Sequence, residues 1–162
     1  MNDYSDLLYT IMAVVIFSFL LLQANSLVLR NDAVTVDHEF EKTAIAVAQS
    51  IIDEAKTRDF DPNTSPSTIP DDFRPPGQMG WNGTTPREQF TAFDDYHNYS
   101  ELVQTPLGNY QVTVTVRYIN NEPPFDVSAV QTPSKRMTVQ ATSVDNNESA
   151  TLVYIKSYVP GL

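Results

Sequence analysis

The feature that most constrains this chain is a run of 23 residues without a formal charge, Leu7 to Leu29, reading LLYTIMAVVIFSFLLLQANSLVL. As a helix rising 1.5 Å per residue it spans roughly 34 Å, enough to cross a hydrocarbon layer of about 30 Å. Its central part, Ile11 to Leu22, is broken only by Ser18. Membrane insertion is therefore expected ahead of burial in a soluble core. A cleavable secretory signal fits poorly, because such signals open on a basic segment and the start here is Met-Asn-Asp-Tyr-Ser-Asp. Arg30 is the sole basic residue near either end of the run, so the positive-inside rule does not assign sidedness.

The helical pattern continues past the run. Between Asp32 and Asp59 there is neither proline nor glycine. Val36, Phe40, Ala44, Val47, Ile51 and Ala55 recur at spacings of 4, 4, 3, 4 and 4, with Ala48 and Ile52 alongside. That is one stripe of an amphipathic helix. Asp37, Glu41, Lys42, Gln49, Asp53, Glu54 and Lys56 occupy the other face, and Asp53 and Lys56 are an i,i+3 pair. Asp61-Pro62 ends the pattern, since a proline disfavours helix at the residue before it. The expectation is one helix of about 55 residues, roughly 80 Å long. Its first half, 7–29, needs lipid or copies of itself, and its second half, 30–59, needs a domain against its stripe.

Residues 60–109 are rich in loops: seven prolines (62, 66, 70, 75, 76, 86 and 106) and Gly77, Gly80 and Gly83 punctuate them. Phe60, Phe73, Trp81, Phe90, Phe93, Tyr96 and Tyr99 argue that the segment is packed, because disordered segments are poor in aromatics. Beyond it, 110–118 alternates strictly, with Tyr110, Val112, Val114, Val116 and Tyr118 on one face. Residues 136–144 repeat the period with Met137, Val139 and Ala141 inward, and 150–158 make a third run. Asn146-Asn147 reads as a hairpin turn between the last two. An antiparallel sheet of about three strands and the amphipathic helix stripe each have one apolar face, and the simplest arrangement is a two-layer α+β domain. The expected organisation is a short segment 1–6, a transmembrane half-helix 7–29, an amphipathic half-helix 30–59 and a globular region 60–162.

Composition excludes several classes of function. Ten basic against 20 acidic residues leave a net charge of −10, and Lys135-Arg136 is the sole adjacent basic pair, so no stripe suits a phosphate backbone. Absence of cysteine removes disulfides, thiolate metal sites and cysteine nucleophiles. No nucleophile elbow, phosphate loop or dinucleotide fingerprint occurs, and the chain is read as a non-enzyme without cofactor or small-molecule substrate. His38 and His97 have no local partner at metal-ligand spacing. Asp94-Asp95-Tyr96-His97-Asn98 has oxygen ligands that suit calcium but no EF-hand spacing, and a turn held by Asx-type hydrogen bonds is the favoured alternative. Sequons at Asn63, Asn82, Asn98 and Asn147 matter only in a host that glycosylates exported proteins.

A long N-terminal helix, half membrane-embedded and half packed on an antiparallel sheet, resembles the type IV pilin and pseudopilin architecture. Phe93-Asp94-Asp95-Tyr96-His97-Asn98-Tyr99 is similar to the Asp-Asp-x-Asp-Asp-Tyr-Asn-Gly type segment ahead of the sheet in many minor pilins and pseudopilins. Lys135-Arg136-Met137-Thr138-Val139 is similar to the Lys-x-Val-x-Val strand that follows there. The family's basic leader, its Gly or Ala cleavage site and its Phe-Thr-Leu-x-Glu are not found, and the expected reading is a divergent or already trimmed member. Asp6 or Asp3 is the nearest counterpart of the family glutamate that neutralises a neighbouring subunit's N-terminal amine. A carboxylate at a bilayer edge is costly unless paired, which makes that role physically sensible for Asp6.

The resemblance implies a structural subunit that enters a filament or its initiation complex through its helix. Asp6 would make the electrostatic contact, and Leu8, Ile11, Val15, Phe19 and Leu22 the apolar ones. Its partners would be membrane lipid and other pilin-like subunits. The implied location is the inner membrane, crossed once with the globular domain extracytoplasmic, or a surface filament. The competing reading is a membrane-tethered binding module that presents the aromatic loop Phe73–Tyr99 to a ligand.

Overall fold

The computed structural model describes residues 3–64 and 70–159, except for the side chains of Asp3, Pro70 and residues 27–37. Asp3, Arg30, Val36, Asp37 and Pro66 among the expectations above lie outside these described parts. One helix, α1, runs Asp3–Lys56, in keeping with the absence of Pro and Gly. The chain divides into two compact units, Met1–Glu39 and Phe40–Leu162.

In the first unit, Tyr4–Ser26 has a mean hydropathy of 2.3 and none of it is buried, so one helix is long and apolar enough to cross a membrane. Three of its hydroxyls bond to carbonyls within the helix. Thr10 Oγ1 donates to the Asp6 carbonyl and Ser18 Oγ to that of Val14, both at 2.8 Å, and Ser26 Oγ donates to Gln23.

The second unit is α+β. Four strands, β1 (Ser100–Thr105), β2 (Gly108–Tyr118), β3 (Ser134–Ser143) and β4 (Ser149–Ser157), form an antiparallel meander in the order β1-β2-β3-β4. The sheet has one strand more than expected, because β1 lies inside the segment read as loops. Pro106-Leu107 links β1 to β2, and Asn147, at φ 61, turns the chain between β3 and β4.

Register makes the two faces unlike. Val112↔Ala141, Val114↔Val139 and Val116↔Met137 point inward and are buried, as alternation requires. Against them lie Ala44, Val47, Ala48, Ile51, Ile52 and Ala55 of α1, the expected stripe, in one core with Phe90, Phe93, Tyr96 and Tyr99. Ala44, Ala48 and Ala55 are entirely buried, which lets the helix backbone approach the valines closely. Tyr110 Oη donates to the Phe40 carbonyl at 3.1 Å. Lys156 Nζ donates to the carbonyl of Lys56, which the helix C-terminus leaves without an internal partner, and to that of Arg58 just beyond it.

Candidate functional site

Asp6, Leu8, Ile11, Val15, Phe19 and Leu22 fall at spacings of 2, 3, 4, 4 and 3 within Tyr4–Ser26, and the last five share one helix face. Those five are 54–69 % exposed, and Asp6 is exposed too. Leu7, Ile16, Phe17 and Leu20 on other faces are equally bare. The segment is thus apolar all round, as a lipid-facing helix is, and no single stripe stands apart.

In the second unit the chemistry concentrates where 60–99 meets the start of β3. Strand alternation puts Lys135 on the inner face with Met137 and Val139, and its ammonium is fully buried. Nζ donates to the Phe60 carbonyl and to Asp61 Oδ2, both at 2.9 Å, and lies 4.4 Å from the Phe60 ring centre and 4.9 Å from that of Tyr118. Asp61, equally buried, also accepts from the backbone N–H of Asn63 and Arg74 and from Tyr118 Oη. Burial pushes the Lys135 pKa down despite Asp94 and Asp61, and it pushes the Tyr118 phenol up, reinforced by the same two carboxylates.

Asp94 completes the cluster less comfortably. Its Oδ2 lies 3.5 Å from Arg74 Nη1 and 3.7 Å from Lys135 Nζ, and neither oxygen accepts a hydrogen bond. Burial raises its pKa to about 6, outweighing the pull of Lys135 and Arg74. Asp95 has the opposite balance. Its carboxylate accepts from the N–H groups of Ala92 and Thr91 and, at 2.8 Å, from Arg74, so its pKa is lowered although burial opposes it. Asp94 and Asp95 lie in a 3-10 turn, Phe93–Tyr96, tied by Asp95, with His97 and Asn98 just beyond it. His97 Nδ1 accepts the Val116 N–H at 3.2 Å, and Asn98 donates its own N–H to Val114. The turn's two carboxylates are thereby committed to Arg74, Lys135 and backbone donors. Among the described residues no group of three or more His, Cys, Asp or Glu is placed to hold a metal ion.

Beside this cluster, a cleft of about 360 Å³ is lined entirely from the irregular segment, by Arg74, Gln78, Trp81, Asn82, Gln89 and Asp95 among others. Trp81 packs edge-on to Tyr99 at 5.2 Å, and its indole N–H is used by the Thr85 carbonyl at 2.7 Å. Asn82 Oδ1 accepts from the N–H groups of Thr84 and Thr85, an Asx-type turn that shapes one rim. Gly80, at φ +113, is required where it stands, since a Cβ there would come within 2.6 Å of the His97 carbonyl oxygen.

Comparison of this chain with protein-family models, curated proteins and solved structures found no match. The buried Lys135–Asp61–Asp94–Arg74 cluster was not foreseen from the sequence. Its one signal there is parity: Lys135 is two residues before Met137 and four before Val139, hence on the inner face.

Proposed function

We propose that this chain is a membrane-anchored structural subunit of pilin-like or pseudopilin-like type. The observation that carries the reading is the segment Tyr4–Ser26, apolar on every side and unburied, in a helix whose residues 44–55 pack on an antiparallel sheet. An apolar helix needs a partner that removes it from water, and lipid and like helices both serve. In this reading Asp6 pairs with a cationic group of a neighbour, and Leu8, Ile11, Val15, Phe19 and Leu22 meet neighbouring helices or lipid. The globular unit is extracytoplasmic, with the chain either spanning the inner membrane once or drawn into a surface filament. No catalytic step is assigned. Lys135 is fully buried and closed to a substrate.

Fractionation tests this directly. The native protein should sediment with membranes and appear in sheared surface filaments or in a pull-down with other single-helix subunits. Val15→Arg should release it from both fractions, because an arginine at the centre of a spanning helix costs about 3 kcal/mol. A soluble, monomeric protein in native lysate would refute the proposal. Mass spectrometry of the native N-terminus sharpens it: a trimmed and methylated terminus supports the pilin pathway, and a retained Met1 opposes it.

A second reading, a membrane-tethered binding module, is favoured by the cleft between Arg74 and Asp95, which lies within the Phe73–Tyr99 loop. A chain shortened to begin at Asp32 separates the two. A binding module keeps its ligand in that form, whereas a filament subunit loses assembly.

A further inference from the structure

The solvent side of the sheet differs from the rest of this acidic chain. Counting alternate residues outward from the buried inner positions, no outward position of the four strands holds Asp or Glu, although the chain has 20 acidic residues. Gln111, Thr113, Thr115, Thr138, Gln140 and Thr142 fill the central strands with hydroxyls and amides. The only charged outward positions of the four strands are Arg117 and Arg136, and the register places them directly opposite one another. Opposed residues hold their Cβ atoms about 5 Å apart, where like charges repel. Among the described residues neither guanidinium has a hydrogen-bond or ion-pair partner. Every other arginine in the second unit, Arg58, Arg74 and Arg87, is paired with a carboxylate.

The pair lines a hollow rather than a flat surface. A cavity of about 250 Å³ is bounded by Thr115, Arg117, Val127, Arg136 and Thr138. Thr115 and Thr138 are themselves opposed, two pairs along the ladder and so on the same face, and two hydroxyls stand beside two guanidinium groups. Val127 closes one wall because the 119–133 connection folds back, with an antiparallel bridge between Ile119 and Val127 and a bond from Ser128 N–H to the Tyr118 carbonyl at 2.9 Å.

We infer that this hollow is an oxyanion site in which Arg117 and Arg136, helped by the Thr115 and Thr138 hydroxyls, bind a doubly charged tetrahedral oxyanion, phosphate or sulfate. Two guanidinium groups match two negative charges, and their fixed N–H forks suit tetrahedral oxygens. The hydroxyls add neutral donors for the remaining oxygens. No carboxylate is among the residues that line the hollow, and no outward strand position supplies one to compete for the arginines. A bound dianion also removes the repulsion between them, so binding and stability are linked.

The test is calorimetric titration of the full chain in a neutral detergent, in phosphate-free buffer, with inorganic phosphate, sulfate, glycerol 3-phosphate and, as a monoanion, acetate. One-to-one saturable binding of the dianions is expected, with acetate weaker. Arg117→Gln and Arg136→Gln should each weaken it about tenfold or more, as loss of a charge-assisted hydrogen bond does. Thr138→Val should weaken it less. Tighter binding of glycerol 3-phosphate identifies a phosphorylated molecule as the ligand, and tighter binding of inorganic phosphate identifies the free ion; either result supports the site. Phosphate should raise the melting temperature of the native protein and leave that of the Arg117→Gln/Arg136→Gln double variant in place. No saturable binding, or equal binding by the double variant, overturns the inference. So does a lower melting temperature of the single variants in phosphate-free buffer, which would make the arginines structural.

Discussion

The two units invert the usual relation between polarity and burial. In Tyr4–Ser26, Phe17, Phe19, Leu20 and Leu22 are bare, whereas in Phe40–Leu162 the ammonium of Lys135 and the carboxylates of Asp61 and Asp94 are fully enclosed. The difference lies in what each unit must satisfy. A single helix makes its backbone hydrogen bonds internally and can leave its side chains to an apolar solvent. A four-stranded sheet under an irregular cover has loop carbonyls and amides to anchor, and ions anchor them: the buried Lys135 to Phe60 and the buried Asp61 to Asn63 and Arg74, with the half-buried Asp95 holding Thr91 and Ala92. Apolar surface in this chain marks where a partner is needed, and buried charge marks where irregular backbone is pinned.

The sharpest way to break the comparison is to remove the buried cation. Lys135→Met should destabilise the globular unit by about 3–5 kcal/mol, because it leaves Asp61 and Asp94 enclosed without their ammonium. Denaturant unfolding reads this, and a neutral outcome would show the cluster to be dispensable. Next in size, Ile51→Ala should cost about 3 kcal/mol by opening a cavity against the sheet, whereas Ile16→Ala in the bare segment should leave the unfolding of the globular unit unchanged. Equal effects would erase the distinction between the two stretches of α1.

The third prediction concerns pH. The Asp94 carboxyl has a folded-state pKa of about 6 against an ordinary value near 3.8, so between those values the folded chain keeps a proton that the unfolded chain has lost. Its contribution is therefore present at pH 3.8 and below and is lost as pH rises to about 6. Relative to Asp94→Asn, the native protein should lose about 2 kcal/mol of stability between pH 4 and pH 7. A gap that is flat across that window would mean that Lys135 and Arg74 fully compensate the burial of Asp94. Smallest, Ala48→Leu should cost about 1–3 kcal/mol by overpacking the helix–sheet contact, while Ala13→Leu should leave the globular unit unaffected. Thermal melts of the two variants side by side make the comparison.

Much of the fold was legible because two periods are strong. Ala44, Val47, Ile51 and Ala55 mark a helical stripe, and Tyr110 to Tyr118 alternate without a fault. Strand β1 was hidden for a local reason. Adjacent apolar residues Leu102 and Val103 point to opposite faces, and Glu101 points inward, where it accepts from Tyr99 Oη at 2.6 Å and pairs with Arg87. An edge strand whose inner face carries an ion pair has no apolar alternation to read. The cluster was less legible still. Lys135 and Asp61 are 74 positions apart, and no local pattern links residues that distant. Within Asp94–Asn98 the acidity was visible, but not that Asp94 faces inward to two cations while Asp95 holds the turn.

By itself the sequence determined the apolar run, the unbroken helix, the inner and outer faces of two strands and the acidic balance of the whole, because each depends on composition or on a short-range period. Only the tertiary structure decided which carboxylates meet which cations, that a cleft opens between Arg74 and Asp95, and that Arg117 and Arg136 stand opposed. Those relations depend on strand register and loop path, and both are set by packing between residues far apart in the chain.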